Sequence, residues 1–419
     1  MSESRRKAGL AREASYLMGQ ASAATRSEAI LAAAHNILER SEEICAANER
    51  DLARGRSNGM PLPLQDRLLL DEGRLASIAA SLKQIARQDD PLGCVVGGRT
   101  LDSGIRIEQV RVPLGVVAIV YEARPNVTAD AFALCVRSGN SCVLKGGSAA
   151  RESCEAIAAA CRDALAQTGL PSDAIQYVSD NAEHTETEEL IRANGLIDVL
   201  IPRGGASLIR HCVENATVPV IETGTGNCHI YLHRDADVEK AVDIVVNAKC
   251  SRPGVCNAAE SLLVDSRAAT RLLPPVLLAL CERGVELVGD ELACSVATSC
   301  GIEMSAASED DWGREYLDLK MSVRCVEDVS EAVAHINRYG TGHSEAIVSE
   351  SYPACEAFLA GVDAAAVYAN ASTRFTDGGV FGLGGEIGIS TQKLHARGPM
   401  GAEALTTTKY LVRGDGQIR

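Results

Sequence analysis

Along residues 1–90, apolar side chains recur at helical spacing. SEAILAAAHNILERSEEICAANERDLARG keeps that spacing until it meets a glycine, and RLLLDEGRLASIAASLKQIARQ repeats it, so this stretch predicts helices. The texture then switches to alternation. RTLDSGIRIEQVRVPLG reads as a β-hairpin with Pro113 near its end, and it offers little apolar surface to a core of its own. Such a hairpin can protrude and pair with another chain. From Gly115 onward, apolar strand runs alternate with amphipathic helices. VVAIVYE, SCVLKGG, AIQYVS, IDVLIP and VPVIETG predict strands; TADAFALCVRSG, ARESCEAIAAACRDALAQTG and GGASLIRHCVEN predict helices. This alternation implies a parallel sheet with crossover helices.

A second alternating series follows. CHIYLH, ESLLVD, ELVGD, MSVRCVED, EAIVSE and AAVYANAS predict strands, with DVEKAVDIVVNAK and RAATRLLPPVLLALCERG as helices. FTDGGVFGLGGEIG predicts a long glycine-rich loop that approaches another group closely, and EALTTTKYLVRG a final strand. At 419 residues the chain is too long for one core, and two or three domains are expected. The net charge of −15 argues against a nucleic-acid or anionic-membrane partner, though a locally basic pocket remains compatible with an anionic substrate. The N-terminal MSESRRKAGLAREASYLMGQ lacks a signal-peptide core, and the 15 cysteines follow no repeating spacing. A cytoplasmic, reducing setting with reduced thiols is the expectation. His229 and His233 fall on a predicted strand and no C-x2-C occurs, so no metal site is expected.

The chemistry centres on CSRPGVCNAAESLLVD, residues 250–265, where two cysteines flank an Arg-Pro-Gly break. Cys250 ends a predicted helix, whereas Cys256 lies on a loop four residues from Arg252. Thiol nucleophiles favour turns with nearby N–H groups or cations, which selects Cys256; the alternative for either thiol is a small core residue. Gly204 and Gly205, between a strand and a helix, can either seat a phosphate or permit tight packing. Lys145, at a strand end before a glycine turn, can reach a ribose or phosphate, or simply be solvated.

The ordered set YEARPNVTAD, SCVLKGG, DVLIPRGG, VIETGTGNCHIYL, RPGVCNAAESLLV and GLGGEIGISTQKLHARGPMGAEALTT resembles the gamma-glutamyl phosphate reductase (glutamate-5-semialdehyde dehydrogenase) family of the aldehyde dehydrogenase superfamily. The resemblance spans nearly the whole chain. It implies an aldehyde dehydrogenase-like α/β fold of two Rossmann-like parallel domains with a small β oligomerisation element. The implied division is 1–100 and 114–227 for the helices and dinucleotide-binding domain, 228–372 for the catalytic domain, 373–404 for a return segment, and 101–113 with 405–419 for oligomerisation. The family cysteine matches Cys256, although Gly254 and Ser251 stand where relatives commonly have serine and glutamine. The oxyanion-stabilising asparagine matches Asn126, for which a turn or helix-cap role is the alternative. Glu222 lies 256 − 222 = 34 positions before the cysteine and matches the glutamate that activates water or the thiol. A reductase gains nothing from activating water, so proton handling or structural hydrogen bonding fits Glu222 equally. Lys145 matches the lysine at the adenosine ribose, and Glu315 the glutamate at the nicotinamide ribose.

The implied reaction is NADPH-dependent reduction of L-glutamate 5-phosphate to the semialdehyde and phosphate through a cysteine thioester, a step of proline biosynthesis. Arg124, Arg252, His395 and Arg397 (with Lys393 in the same basic run) are candidates to hold the anionic acyl phosphate substrate. A homo-oligomer and association with glutamate 5-kinase are further expectations. Two rivals are a hydrolytic aldehyde dehydrogenase with Glu222 as base and a non-catalytic scaffold.

Overall fold

A computed structural model describes residues 2–179 and 185–419. The chain forms two units. One comprises Met1–Thr223, Gly378–Gly388 and Leu394–Arg419, the other Gly224–Asp377 and Ile389–Lys393.

The first unit opens with five helices, α1 (Glu3–Met18), α2 (Ala23–Glu39), α3 (Ser41–Ser57), α4 (Leu62–Leu68) and α5 (Glu72–Ala86). Serine or aspartate side chains cap three of them: Ser2, Ser22 and Asp71 each accept from a backbone N–H in the first turn of α1, α2 and α5. A hairpin follows, β1 (Val95–Thr100) and β2 (Arg106–Pro113). It begins earlier than the alternation suggested, because Gly97 and Gly98 carry no side-chain signal and the register shifts between Val95 and Gly97. The terminal strand Thr406–Arg413 pairs antiparallel with β2 of the same chain.

Strands β3 (Val116–Tyr121), β4 (Ser141–Gly146), β5 (Ile175–Tyr177) and β6 (Val199–Arg203) form a parallel sheet in the order β5-β4-β3-β6. Its near-continuous apolar runs are explained by burial on both faces. Val117, Ile119 and Tyr121 join one core with residues of α2, α5, α6 (Asn126–Arg137) and α7 (Arg151–Gln167). Val116, Ala118 and Val120 join another with α1, α8 (Thr185–Ile191) and α9 (Ala206–Asn215). VPVIETG does not form the expected full strand. Leu200 bonds to both Pro219 and Ile221, giving only an isolated bridge; Pro219 has no N–H with which to extend a ladder.

The second unit holds seven parallel strands: β7 (Cys228–Leu232), β8 (Ala259–Asp265), β9 (Glu286–Gly289), β10 (Ser305–Ala306), β11 (Lys320–Val326), β12 (Ser344–Val348) and β13 (Ala366–Ala369). Their order is β10-β9-β11-β8-β7-β12-β13. Ile230, Leu262 and Val323 face α10 (Val238–Cys250) and α11 (Ala269–Cys281), while Tyr231, Leu263 and Ile347 pack on the opposite side. Among the described residues, no helix is long and apolar enough to cross a membrane.

Candidate active site

In the second unit, Cys250 is the last residue of α10 and Cys256 lies on the loop between α10 and β8. Cys250 packs against the apolar core, and burial pushes its thiol up. Cys256 is half-buried. Several contacts fix this loop. At its two ends Lys249 and Glu260, both fully buried, form an ion pair at 2.6 Å. Burial raises Glu260 to about 7 against the pull of Lys249. Beneath the loop, the Cys228 thiol donates to the Cys256 carbonyl at 3.2 Å. Burial, then the charges of Glu345 and Cys256, holds Cys228 well above the ordinary thiol range. Gly226 presses on the same carbonyl group: a Cβ built there would lie 2.8 Å from the Cys256 Cα and closer still to its carbonyl. No L side chain fits that space without moving the backbone that carries the sulfur.

Glu315 is drawn into the same cluster. Its Oε1 accepts the Gly226 N–H at 2.7 Å, so in this structure the carboxylate braces the segment under Cys256. On the other side, Asn257 donates to the Thr376 carbonyl at 2.8 Å and its own carbonyl accepts from Thr373 Oγ1 at 2.8 Å. This double link brings in Arg374, which the sequence reading missed. Arg374 Nε donates to Ser251 Oγ at 3.2 Å. Burial and the charge of Arg252 lower the Arg374 pKa, while Asp377, Cys256 and Cys228 oppose the shift. The exposed Arg252 is therefore near both Arg374 and the cysteine loop.

In the first unit, strand register aligns the candidate cofactor residues. Val120 pairs with Lys145 and Pro202, and Tyr121 with Gly146 and Arg203. The segments beginning at Glu122, Gly147 and Gly204 thus leave one edge, the carboxyl end of a parallel sheet, where such sheets hold ligands. Lys145 is only 5% exposed, which rules out a solvated strand end. Its charge reaches Cys212 on α9. The Gly205 N–H is not open, as the sequence suggested: it donates to Glu122 Oε2 at 2.9 Å. Helix α9 has no side-chain cap of its own, so the Glu122 carboxylate serves its positive end. A buried lysine and a helix start that attracts an anion, both at this sheet edge, are groups of the kind that hold the phosphate and ribose of a dinucleotide.

Asn126 is the first residue of α6, with Pro125 at the cap, so its side chain is not the helix cap. Instead Nδ2 donates to Asp130 Oδ2 at 3.2 Å, one turn on. Burial lifts Asp130 to about 6, against the hydrogen bonds of Asn126 and Ser81 and the charge of Arg203. Before this helix, Ala123 has φ 29°, a strained value for a residue with a side chain, in the turn that carries the half-buried Arg124. Glu222 is half-buried just beyond the bridge at Val220. His395 Nε2 lies 2.7 Å from the Ala404 carbonyl, and Arg397 is exposed. His395 and Arg397 belong to the first unit, while the neighbouring Lys393 belongs to the second and pairs with Asp363. The sequence signals for Asp130 and Arg374 were their places in NVTAD and ASTRFTDGG, the first a helix start and the second a turn, each next to recognised residues rather than a motif in itself.

One parallel sheet is thus edged by a buried lysine and a helix start held by Glu122, and the other by a braced cysteine loop. The aldehyde dehydrogenase family model matches residues 3–282. The chain is 51% identical over 419 residues, all of both chains, to the gamma-glutamyl phosphate reductase of Clostridium beijerinckii. The crystal structure of gamma-glutamyl phosphate reductase from Thermotoga maritima superposes with a TM-score of 0.95 at 43% identity, covering all of both chains. An acetylating aldehyde dehydrogenase from Geobacillus thermoglucosidasius shares the fold, with a TM-score of 0.71 at 18% identity over 100% of this chain and 97% of that one. The chain belongs to the aldehyde dehydrogenase family and, within it, to the gamma-glutamyl phosphate reductases. Enzymes of this family use NAD(P).

Proposed function

We propose that the protein reduces L-glutamate 5-phosphate to L-glutamate 5-semialdehyde and phosphate with NADPH, a step of proline biosynthesis. The full-length identity to gamma-glutamyl phosphate reductases carries this reading. Cys256, on its braced loop, attacks the acyl carbon; the C–O bond to phosphate breaks and phosphate departs as an anion, leaving a thioester. When bound, NADPH would supply the hydride; Lys145 and the Gly204–Gly205 helix start would hold its phosphates and first ribose, and Glu315 its second ribose. The Asn126 amide stabilises the oxyanion that develops at the acyl carbon. A proton reaches the departing sulfur as the thiohemiacetal collapses to aldehyde and thiol. Arg124, Arg252 and Arg397 supply positive charge for the substrate's two anionic ends, with His395 a further polar contact. Glu222 orders protons or structure and activates no water.

The test is the reverse reaction. Oxidation of glutamate semialdehyde is expected to require inorganic phosphate and to run faster with NADP+ than with NAD+. Equal rates without phosphate would replace this reading with a hydrolytic one. A homo-oligomer is proposed from the exposed β1–β2 hairpin and the terminal strand, with association to glutamate 5-kinase as a further proposal. Sedimentation at micromolar concentration checks the first: a monomer counts against it.

A further inference from the structure

We infer that Arg374, together with Arg252, forms the seat for the phosphate group of the acyl phosphate. This rests on the reaction proposed above and assigns one of the substrate's two anions to a particular pair of guanidiniums. The turn carrying Arg374 is not placed by chance. Two hydrogen bonds of 2.8 Å tie residues 373–376 to Asn257, the residue after the nucleophile, and Arg374 Nε reaches Ser251 on the far side of the same loop. Arg374 is half-buried and Arg252 exposed. Among the described residues, neither forms an ion pair with a carboxylate. Two like charges kept together beside a nucleophile set up a positive field, which Asp377 and the thiols of Cys256 and Cys228 oppose. An incoming anion relieves it.

Substrate geometry decides which anion. In an acyl phosphate the phosphoryl group is joined through one oxygen to the carbon that sulfur attacks. The α-carboxylate lies at the other end of the carbon chain. Arg374, whose turn is tied to both sides of the cysteine loop, and Arg252 on that loop therefore meet the phosphate and not the carboxylate. They hold its charge as the C–O bond breaks. In reverse they hold inorganic phosphate for attack on the thioester.

The experiment compares wild type, Arg374→Ala and Arg374→Lys in semialdehyde oxidation, with KM for phosphate and KM for semialdehyde measured separately. Loss of a charge-assisted contact is expected to raise the phosphate KM by about 10–150-fold, while the semialdehyde KM stays within about twofold. Lysine, a point charge without the planar fork, should fall between the two. A second measurement needs no turnover: the rate of Cys256 alkylation by iodoacetamide with and without inorganic phosphate. Phosphate should slow alkylation in wild type, and in Arg374→Ala the same protection should require about 10–150-fold more phosphate. A rise in semialdehyde KM with an unchanged phosphate KM would move Arg374 to the carboxylate and overturn the inference, as would protection of Arg374→Ala at the same phosphate concentrations as wild type. If wild type oxidises the semialdehyde equally well without phosphate but phosphate still protects Cys256 through Arg374, the reaction fails and the anion seat stands.

Discussion

The turn that bears Cys256 and the turn that bears Asn126 both follow an element of a parallel α/β unit, but they are braced by different chemistry. Cys256 is held by contacts to main chain: the Cys228 thiol and Gly226 beneath its carbonyl, and the Thr373 and Thr376 links to Asn257. Asn126 is held by a carboxylate, Asp130, that titrates near physiological pH. Backbone contacts place an atom and are indifferent to protonation; a carboxyl group holds an amide N–H more strongly when it is charged. The nucleophile's position should therefore depend on shape, and the amide's on pH.

The largest effect separates the two thiols. Cys256→Ala is expected to abolish turnover, and Cys250→Ala to leave most of it, since Cys250 is a helix-end residue packed on the core. Steady-state rates on variants with matching circular dichroism decide this; equal loss in both would remove the distinction between loop and helix.

Asn126→Ala comes next, with kcat lower by roughly 10²–10³, the usual cost of one oxyanion donor. A few-fold loss would leave Asn126 only as a partner for Asp130. Gly226→Ala tests the other turn. Its new methyl group collides with the Cys256 backbone, so both kcat and the melting temperature should fall, kcat by about 10-fold and stability by about 1–3 kcal/mol, the range for overpacking. If stability falls but kcat holds, the collision is absorbed away from the sulfur.

How much of this was legible in the sequence differs between the two turns. Apolar runs and helical spacing revealed both parallel sheets, because strands buried on both faces must be apolar throughout. The Cys256 loop was legible from Pro253-Gly254 after a helix. The braces were not: Gly226 and Thr373 are distant in sequence, and nothing local marks a glycine as touching a carbonyl thirty residues on. Asp130 sat inside a quoted motif, yet its hydrogen bond to Asn126 becomes visible only once residues 126–137 are seen to be helical from the first, one turn bringing position 130 above 126. VPVIETG misled because periodicity does not register that Pro219 lacks the N–H a ladder needs.

The pH dependence sharpens the comparison further. Asp130 is raised from 3.8 to about 6 by burial. Its folded form therefore prefers the proton: the associated stability is fully present below 3.8 and is lost as pH rises through about 6. Activity should move the opposite way, because the ionised carboxylate holds the Asn126 amide more strongly than the neutral acid does, so kcat should fall as pH drops below about 6. Asp130→Asn keeps an acceptor without the charge and should flatten that limb while costing a few-fold at neutral pH. Melting temperature and kcat measured across pH 5–8 test both signs. A limb that persists near 7 would belong instead to Glu260, at the end of the cysteine loop, and titration would then govern both turns.

The smallest effect is expected at Glu222. Glu222→Gln should change the reductive rate by no more than a few-fold. The thiolate attacks an already activated acyl phosphate, so no water has to lose a proton, and phosphate departs as an anion without acid help. Only the collapse of the thiohemiacetal needs a proton, which solvent can deliver. Nor should the substitution disturb the local chain path, because the next residue, Thr223, is tied by its own hydroxyl to the Pro202 carbonyl at 2.6 Å. The measurement is phosphate-dependent semialdehyde oxidation alongside phosphate-independent glutamate formation, in wild type and variant. If wild type forms glutamate rapidly without phosphate, and Glu222→Gln alone abolishes that activity, Glu222 is a water-activating base. The first unit would then contribute a titrating catalyst as well as a titrating brace, and the hydrolytic reading would take the place of the reductive one.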